Sequence, residues 1–225
     1  MHARYGLAMA AVLLSQSPGN ADVKTRELEY RQGETVLQGF IAWDDAVRGK
    51  RPGVLVVHEW WGHNVHARHQ ARRLAEAGYI GFALDMFGKG KVATHPQDAQ
   101  AFVNEVTKDP AVLAARFNAA LEQLKRDPHV DTTRLAAIGY CFGGAVVLVL
   151  TGGADPFVPP EQVEAFKREM QAAGVRVEVI SYPGAKHGFT NPDAGQYGMA
   201  QLAYDAEADR QSWAAMLKLF KEVFP

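Results

Sequence analysis

The sequence predicts an α/β protein, with a mostly parallel central sheet, helices on both faces and an N-terminal β-hairpin. Three observations carry this. Short apolar runs such as Val54-Leu55-Val56-Val57 have the composition of strands buried on both faces. Longer amphipathic stretches alternate with them, and the connections between the two kinds of segment are short. Such a sheet gathers ligands beyond the carboxyl ends of its strands, so the residues just after each strand are the ones to inspect.

The elements follow in order. Residues 1–21 carry a leader pattern: the weakly basic start Met-His-Ala-Arg, an apolar run from Tyr5 to Leu14, and the small residues Gly19 and Ala21 before a cleavage point. This predicts a signal peptide and a periplasmic or secreted protein; the alternative is a frayed N-terminus on a cytoplasmic one. The apolar run is too short to span a bilayer. A single domain is expected over 22–225. It begins with alternating segments at Leu28 to Arg31 and Thr35 to Ala42, around a turn at Gln32-Gly33-Glu34, which together predict the hairpin. Core strands follow at Val54 to Val57, Ile80 to Leu84, Arg134 to Gly139 and Arg176 to Ser181. Helices are predicted at His66 to Glu76, Pro96 to Asn104, Ala111 to Lys125, Pro160 to Ala173 (ended by Gly174) and Leu202 to Val223.

Composition narrows the function. Twenty-four Lys+Arg against 25 Asp+Glu give a formal net charge of -1, so no overall field exists to hold nucleic acid or an anionic membrane. The single cysteine, Cys141, excludes an internal disulfide and leaves either a core residue or a lone reactive thiol. Its setting, Gly139-Tyr140-Cys141-Phe142-Gly143-Gly144 directly after a strand, is the Gly-x-nucleophile-x-Gly pattern of a sharp strand-to-helix turn. There the central residue is strained and exposed above the sheet edge, at a helix N-terminus that favours a thiolate. Asp155 follows the apolar run Val146 to Thr151, and His187 follows the last core strand between Gly184 and Gly188. Nucleophile, acid, histidine is the chain order of the α/β-hydrolase fold. His58-Glu59-Trp60-Trp61-Gly62-His63, after the first core strand, has the wrong histidine spacing for a helical zinc site. Its loop suits an oxyanion hole instead, built from the N–H groups of Trp60 and Phe142. No metal and no cofactor is predicted.

His58-Glu59-Trp60-Trp61-Gly62, Asp85-Met86-Phe87-Gly88, the Gly139 to Gly144 elbow, Gly152-Gly153-Ala154-Asp155-Pro156 and Lys186-His187-Gly188-Phe189 together resemble the dienelactone hydrolase family. The resemblance implies an α/β-hydrolase in which Cys141 attacks an ester or lactone carbonyl, His187 moves the proton, Asp155 orients His187, and Glu59 contacts the resting cysteine and helps form its thiolate. Trp61, Phe87, Lys89, Lys91, Tyr140 and Phe189 are the candidate substrate-binding residues. A monomer acting on a small ester or lactone is expected; the alternative is a catalytically impaired relative that binds a small molecule or a partner through the same pocket.

The sequence departs from the family in two places. Members that hydrolyse dienelactone hold its carboxylate with two arginines, whereas the matching regions here read Gly88-Lys89-Gly90-Lys91 and Thr190-Asn191-Pro192. A lysine supplies charge but not the planar fork of arginine. Second, the stretch from Cys141 to Asp155 is too short for a helix, its return and a parallel strand. One α/β unit of roughly 40 residues is therefore expected to be missing near 145–149. If Val146 to Thr151 forms a strand, it should run back antiparallel, which would leave exposed sheet edges and keep Asp155 away from His187.

Overall fold

The computed structural model describes residues 21–141, 148–172 and 177–224. Most of the leader pattern, Phe142 with the elbow glycines 143 and 144, the helix-ending Gly174 and the first residue of the strand expected from Arg176 lie outside the described residues.

The predicted hairpin is present as β1 (Val23–Gln32) and β2 (Thr35–Asp44), antiparallel in register from Val23 opposite Asp44 to Gln32 opposite Thr35. Its two-residue turn starts at Gly33 with φ +56°, a conformation open to glycine at little cost. Then come β3 (Arg51–Val57), α1 (Val65–Glu76), β4 (Ile80–Leu84), α2 (Pro96–Thr107), α3 (Pro110–Arg126) and β5 (Val130–Gly139). These strands form a sheet in the order β1-β2-β4-β3-β5, with β3 parallel to β4 and β5, and β2 antiparallel to β4. After β5 come β6 (Leu148–Gly152), α4 (Pro160–Ala172), β7 (Glu178–Tyr182), a short 3-10 turn at Ala194–Tyr197 and α5 (Ala206–Val223).

β3 and β4 are buried at every position because alternate residues enter two cores. Leu55, Val57, Phe82 and Leu84 pack with Val106 of α2 and with Ala120 and Leu124 of α3. Val54, Val56 and Ala83 pack on the other face with Ala67, Ala71 and Leu74 of α1 and with Met216 and Phe220 of α5. Helices therefore cover both faces of this sheet, as the continuous apolar strands require. α5 starts later than the predicted Leu202. Asp205 accepts hydrogen bonds from the N–H groups of Glu207 and Ala208 and so caps the helix, while Leu202 packs in a separate cluster with Trp61.

The apolar run after Cys141 is a strand, but its expected antiparallel return is corrected by the structure. β6 pairs parallel with β7, from Leu148 opposite Glu178 to Gly152 opposite Tyr182. It thus ends at the same edge as the loop that carries His187. Chain reach permits this without a helix: the links from Cys141 to Leu148 can span at most about 25 Å, more than the length of a five-residue strand. β6 and β7 form a two-stranded sheet of their own, so β5 has one edge with no partner strand among the described residues.

α1 also carries an uncompensated polar cost. His66 is buried edge-on against the Tyr140 ring at 5.1 Å, and neither ring nitrogen has a hydrogen-bond partner among the described residues. Burial pushes its pKa down to about 3, with His69 and Arg73 adding to the effect. A folded-state pKa below the unfolded value of 6.5 means that the unfolded chain binds more protons as pH falls from 6.5 towards 3. The stability linked to neutral His66 is therefore present above pH 6.5 and lost on acidification. His66→Leu is expected to remove this dependence: its stability relative to the parent should improve by up to about 1.4 kcal/mol per pH unit below 6.5. Urea titrations at pH 7, 6 and 5 check this; a constant difference between the two proteins would contradict it.

Candidate active site

β5 delivers Cys141 to the carboxyl edge of the sheet, where the N–H of Tyr140 still donates to Val57 O at 3.2 Å. Cys141 then has φ +52° and is the one non-glycine residue with positive φ among the described residues. An L-residue in this region is strained, as expected for a side chain turned off the end of a strand. Its thiol is exposed.

The sequence-based expectation that Asp155 fails to reach His187 is also corrected: Asp155 Oδ2 lies 2.7 Å from His187 Nδ1. The contact is built from the parallel pairing of β6 with β7. Beyond the last pair, Gly153 N–H donates to Tyr182 O at 2.8 Å and Ala154 N–H to Ala185 O at 3.0 Å, which ties the acid loop to the histidine loop. Gly152 permits this approach, since a Cβ there would sit 2.4 Å from Ala185 O. The other carboxylate oxygen, Oδ1, accepts from the N–H groups of Phe157 and Val158 at 2.8 and 3.3 Å. Burial opposes ionisation of Asp155, but His187 and these two N–H donors outweigh it and hold the carboxyl below its usual range. Burial likewise lowers the basicity of His187, yet hydrogen bonds to Asp155 and Cys141 raise its pKa to about 10.

Glu59, just past β3, is buried and accepts from Asn191 Nδ2 at 2.7 Å. Burial pushes its pKa up to about 7, with Asn191 and His187 pulling in the opposite direction. Nothing in the sequence singles out Asn191 as a polar contact beyond its place shortly after the histidine.

Cys141, His187, Asp155 and Glu59 line one cleft of about 300 Å³, together with Tyr140 and Phe189. The other candidates lie elsewhere. Trp61 is buried and stacked on Tyr197, centroids 3.7 Å apart and rings 4° from parallel. Phe87 is buried against His58 and Phe102. Its loop is closed by Asp85 Oδ1, which accepts from the N–H groups of Phe87 and Gly88, and by Arg116, which donates to Met86 O and Phe87 O. Lys89 is paired with Glu29, and Lys91 with Glu105 at 2.6 Å. None of these four residues is part of the cleft lining. Trp60 packs edge-on against Trp61 at 4.9 Å. No group of three or more His, Cys, Asp or Glu is placed to hold a metal ion among the described residues, and no helix among them is long and apolar enough to cross a membrane.

The fold is that of an α/β-hydrolase. More particularly, the chain belongs to the dienelactone hydrolase family, whose model matches residues 37–151 and 145–224. Among solved structures it is similar to a dienelactone hydrolase-like promiscuous phosphotriesterase from metagenomic libraries, at 33% identity and TM-score 0.84, covering 91% of this chain and 100% of that one. Among curated proteins it is similar to a "Putative carboxymethylenebutenolidase" of Yersinia pestis, 27% identical over 232 residues, 83% of this chain and 84% of the relative. It is also similar to Protein usf of Aquifex pyrophilus, 24% identical over 238 residues, 87% of this chain and 97% of the relative.

Proposed function

We propose that this member of the family hydrolyses small esters or lactones through Cys141, with His187 as proton carrier and Asp155 as its orienting acid. One observation carries the reading: a strained, exposed cysteine shares a cleft with a histidine that is itself 2.7 Å from a buried carboxylate. A histidine held at about 10 is an imidazolium at neutral pH, the counter-charge a reactive thiolate needs. In the proposed reaction, Sγ bonds to the carbonyl carbon and the oxyanion is met by the N–H groups of Trp60 and Phe142. The C–O bond breaks as His187 gives its proton to the leaving oxygen. Water then adds to the thioester and passes a proton to His187, and the C–S bond breaks to release the acid and restore the Cys141 thiolate. Glu59, near half-protonated at neutral pH, is assigned to proton exchange with the resting thiol, and Asn191 is the residue that positions it.

The chain is also read as lacking one α/β unit close to 145–149. Three observations support this. The family match falls in two segments that overlap at 145–151. The alignment to the Yersinia pestis relative spans 232 positions but uses 83% of these 225 residues, about 187, so about 45 of its positions have no counterpart here. β5 ends the five-stranded sheet with no partner on its outer edge among the described residues, and the next strand in the chain, β6, belongs to a separate sheet.

Stopped-flow mixing with 4-nitrophenyl acetate tests the chemistry. The parent is expected to release close to one equivalent of nitrophenolate in a burst and then turn over steadily. Cys141→Ala is expected to lose the burst and at least about 10³-fold in kcat/KM. A folded parent protein without a Cys141-dependent burst would overturn the proposal and favour the binding-protein reading.

A further inference from the structure

The apolar residues of β5 and β6 are less covered than those of their neighbours. Every residue of β3 and β4 is buried, whereas Leu135, Ala136 and Ala137 of β5 and Leu148, Val149 and Leu150 of β6 are only half-buried. Strands of this composition, placed between helices, normally have both faces covered. The deficit lies along one seam, where the five-stranded sheet ends and the two-stranded sheet begins.

The cleft follows that seam. Its lining includes Cys141 and His187, Ile138 of β5, Tyr140 just past that strand, Leu150 of β6, and Trp213, Met216 and Phe220 of α5. From Ala137 to Tyr140, whose N–H still donates to Val57 O, a rise of about 3.3 Å per residue makes the seam roughly 10 Å long, the length of an acyl chain of about eight carbons. About 300 Å³ is at the lower end of small-molecule sites and accommodates such a chain. Charge points the same way. No Lys or Arg is present among the described lining residues, and Asp209 is already paired with Arg73 at 2.9 Å. The His187 imidazolium is matched by Asp155 at 2.7 Å, so a carboxylate carried into this seam away from it would lose its hydration without a counter-charge.

We infer that the seam between β5 and β6 holds the acyl chain of the ester cleaved at Cys141, and that the preferred substrates carry neutral, straight acyl groups of about eight carbons. This rests on the thiol-ester chemistry proposed above. Sγ bonds to the octanoyl carbon as the ester C–O bond breaks and the proton of His187 goes to the leaving oxygen; water then adds to the thioester and returns a proton to His187, and the C–S bond breaks to release octanoic acid.

The test is a series of 4-nitrophenyl acetate, butyrate, hexanoate, octanoate and decanoate. kcat/KM is expected to rise about three- to fourfold per added methylene up to octanoate, because each buried methylene contributes a constant increment. 4-Nitrophenyl hydrogen adipate, with a terminal carboxylate, should be hydrolysed at least about tenfold less efficiently than the hexanoate. Met216→Trp, which narrows the seam from α5, is expected to lower the octanoate-to-acetate ratio at least about tenfold. Leu150→Trp, from β6, serves if Met216→Trp does not fold. Cys141-dependent turnover of acetate with a flat or falling chain-length series would overturn the inference and leave the hydrolase reading standing. If no ester is turned over, the hydrolase reading fails, and calorimetry with octanoate decides the seam on its own. Saturable binding weakened by Met216→Trp would retain an acyl site; absence of binding would overturn it.

Discussion

Asp155→Asn is expected to lower kcat/KM for 4-nitrophenyl esters by roughly 10²- to 10⁴-fold while leaving the protein folded. The two oxygens of Asp155 have different duties. Oδ1 accepts from the N–H groups of Phe157 and Val158, and an asparagine oxygen can keep both bonds. Oδ2 faces His187 Nδ1 at 2.7 Å, and there an amide NH₂ would present a donor to a donor. The variant imidazole must then place its proton on the nitrogen that faces the thiol, and it loses the negative charge that stabilises imidazolium. His187 is held at about 10 partly by this carboxylate, so without it the imidazolium is given up at lower pH. The alkaline limb of the pH–rate profile should move downward accordingly. Measurement of kcat/KM from pH 5 to 10 for both proteins reads the loss and the shift together. An unchanged rate and profile would mean that the acid does not engage His187 in solution, the arrangement that the short Cys141 to Asp155 spacing suggested.

The residues legible in the sequence were those whose environment is set locally. Val54 to Val57 and Ile80 to Leu84 are apolar without interruption because both of their faces are covered, and β3 and β4 lie there. Cys141 stood out because glycines two positions to either side free a strained turn, and its φ is +52°. Contacts between residues distant in the chain were not legible. Trp61 in a glycine-bounded loop reads equally well as a substrate contact or as packing, and only Tyr197, brought in by the segment before α5, decides for packing. Lys89 and Lys91 have the charge to hold a carboxylate, but Glu29 on the hairpin and Glu105 on α2 take it up. The sequence also carries no sign that Asn191 should donate to Glu59. The Asp155 to His187 contact was missed for a different reason. A short link from the nucleophile brings the acid to the wrong edge only if the next strand reverses, and β6 instead runs parallel to β7 in a sheet separate from β5.

Native-state hydrogen exchange is expected to divide the molecule at the same seam, with amides of β6 and β7 at least about 100-fold less protected than those of β3 and β4. β3 has a parallel partner on each side and both faces covered. β6 and β7 have only each other among the described strands, and a two-stranded sheet is marginal by itself. α4, which connects them, has no buried residue. This part is held by a small cluster of Tyr182, Ala185, Phe189 and Ala208, the last contributed by α5, and by Leu150 of β6 packing against the core that includes Ile138 and Met216. Asp155 and His187 both belong to this less supported part, whereas Cys141 ends a strand of the five-stranded sheet. Local opening would therefore withdraw the acid and the base together from the nucleophile. Hydrolytic activity is accordingly expected to disappear at a lower temperature than the far-ultraviolet circular dichroism of the main sheet. Uniform protection and a single coincident thermal transition would instead show the two sheets to be one cooperative unit, with β6 and β7 secured to β5 by more than the described cluster.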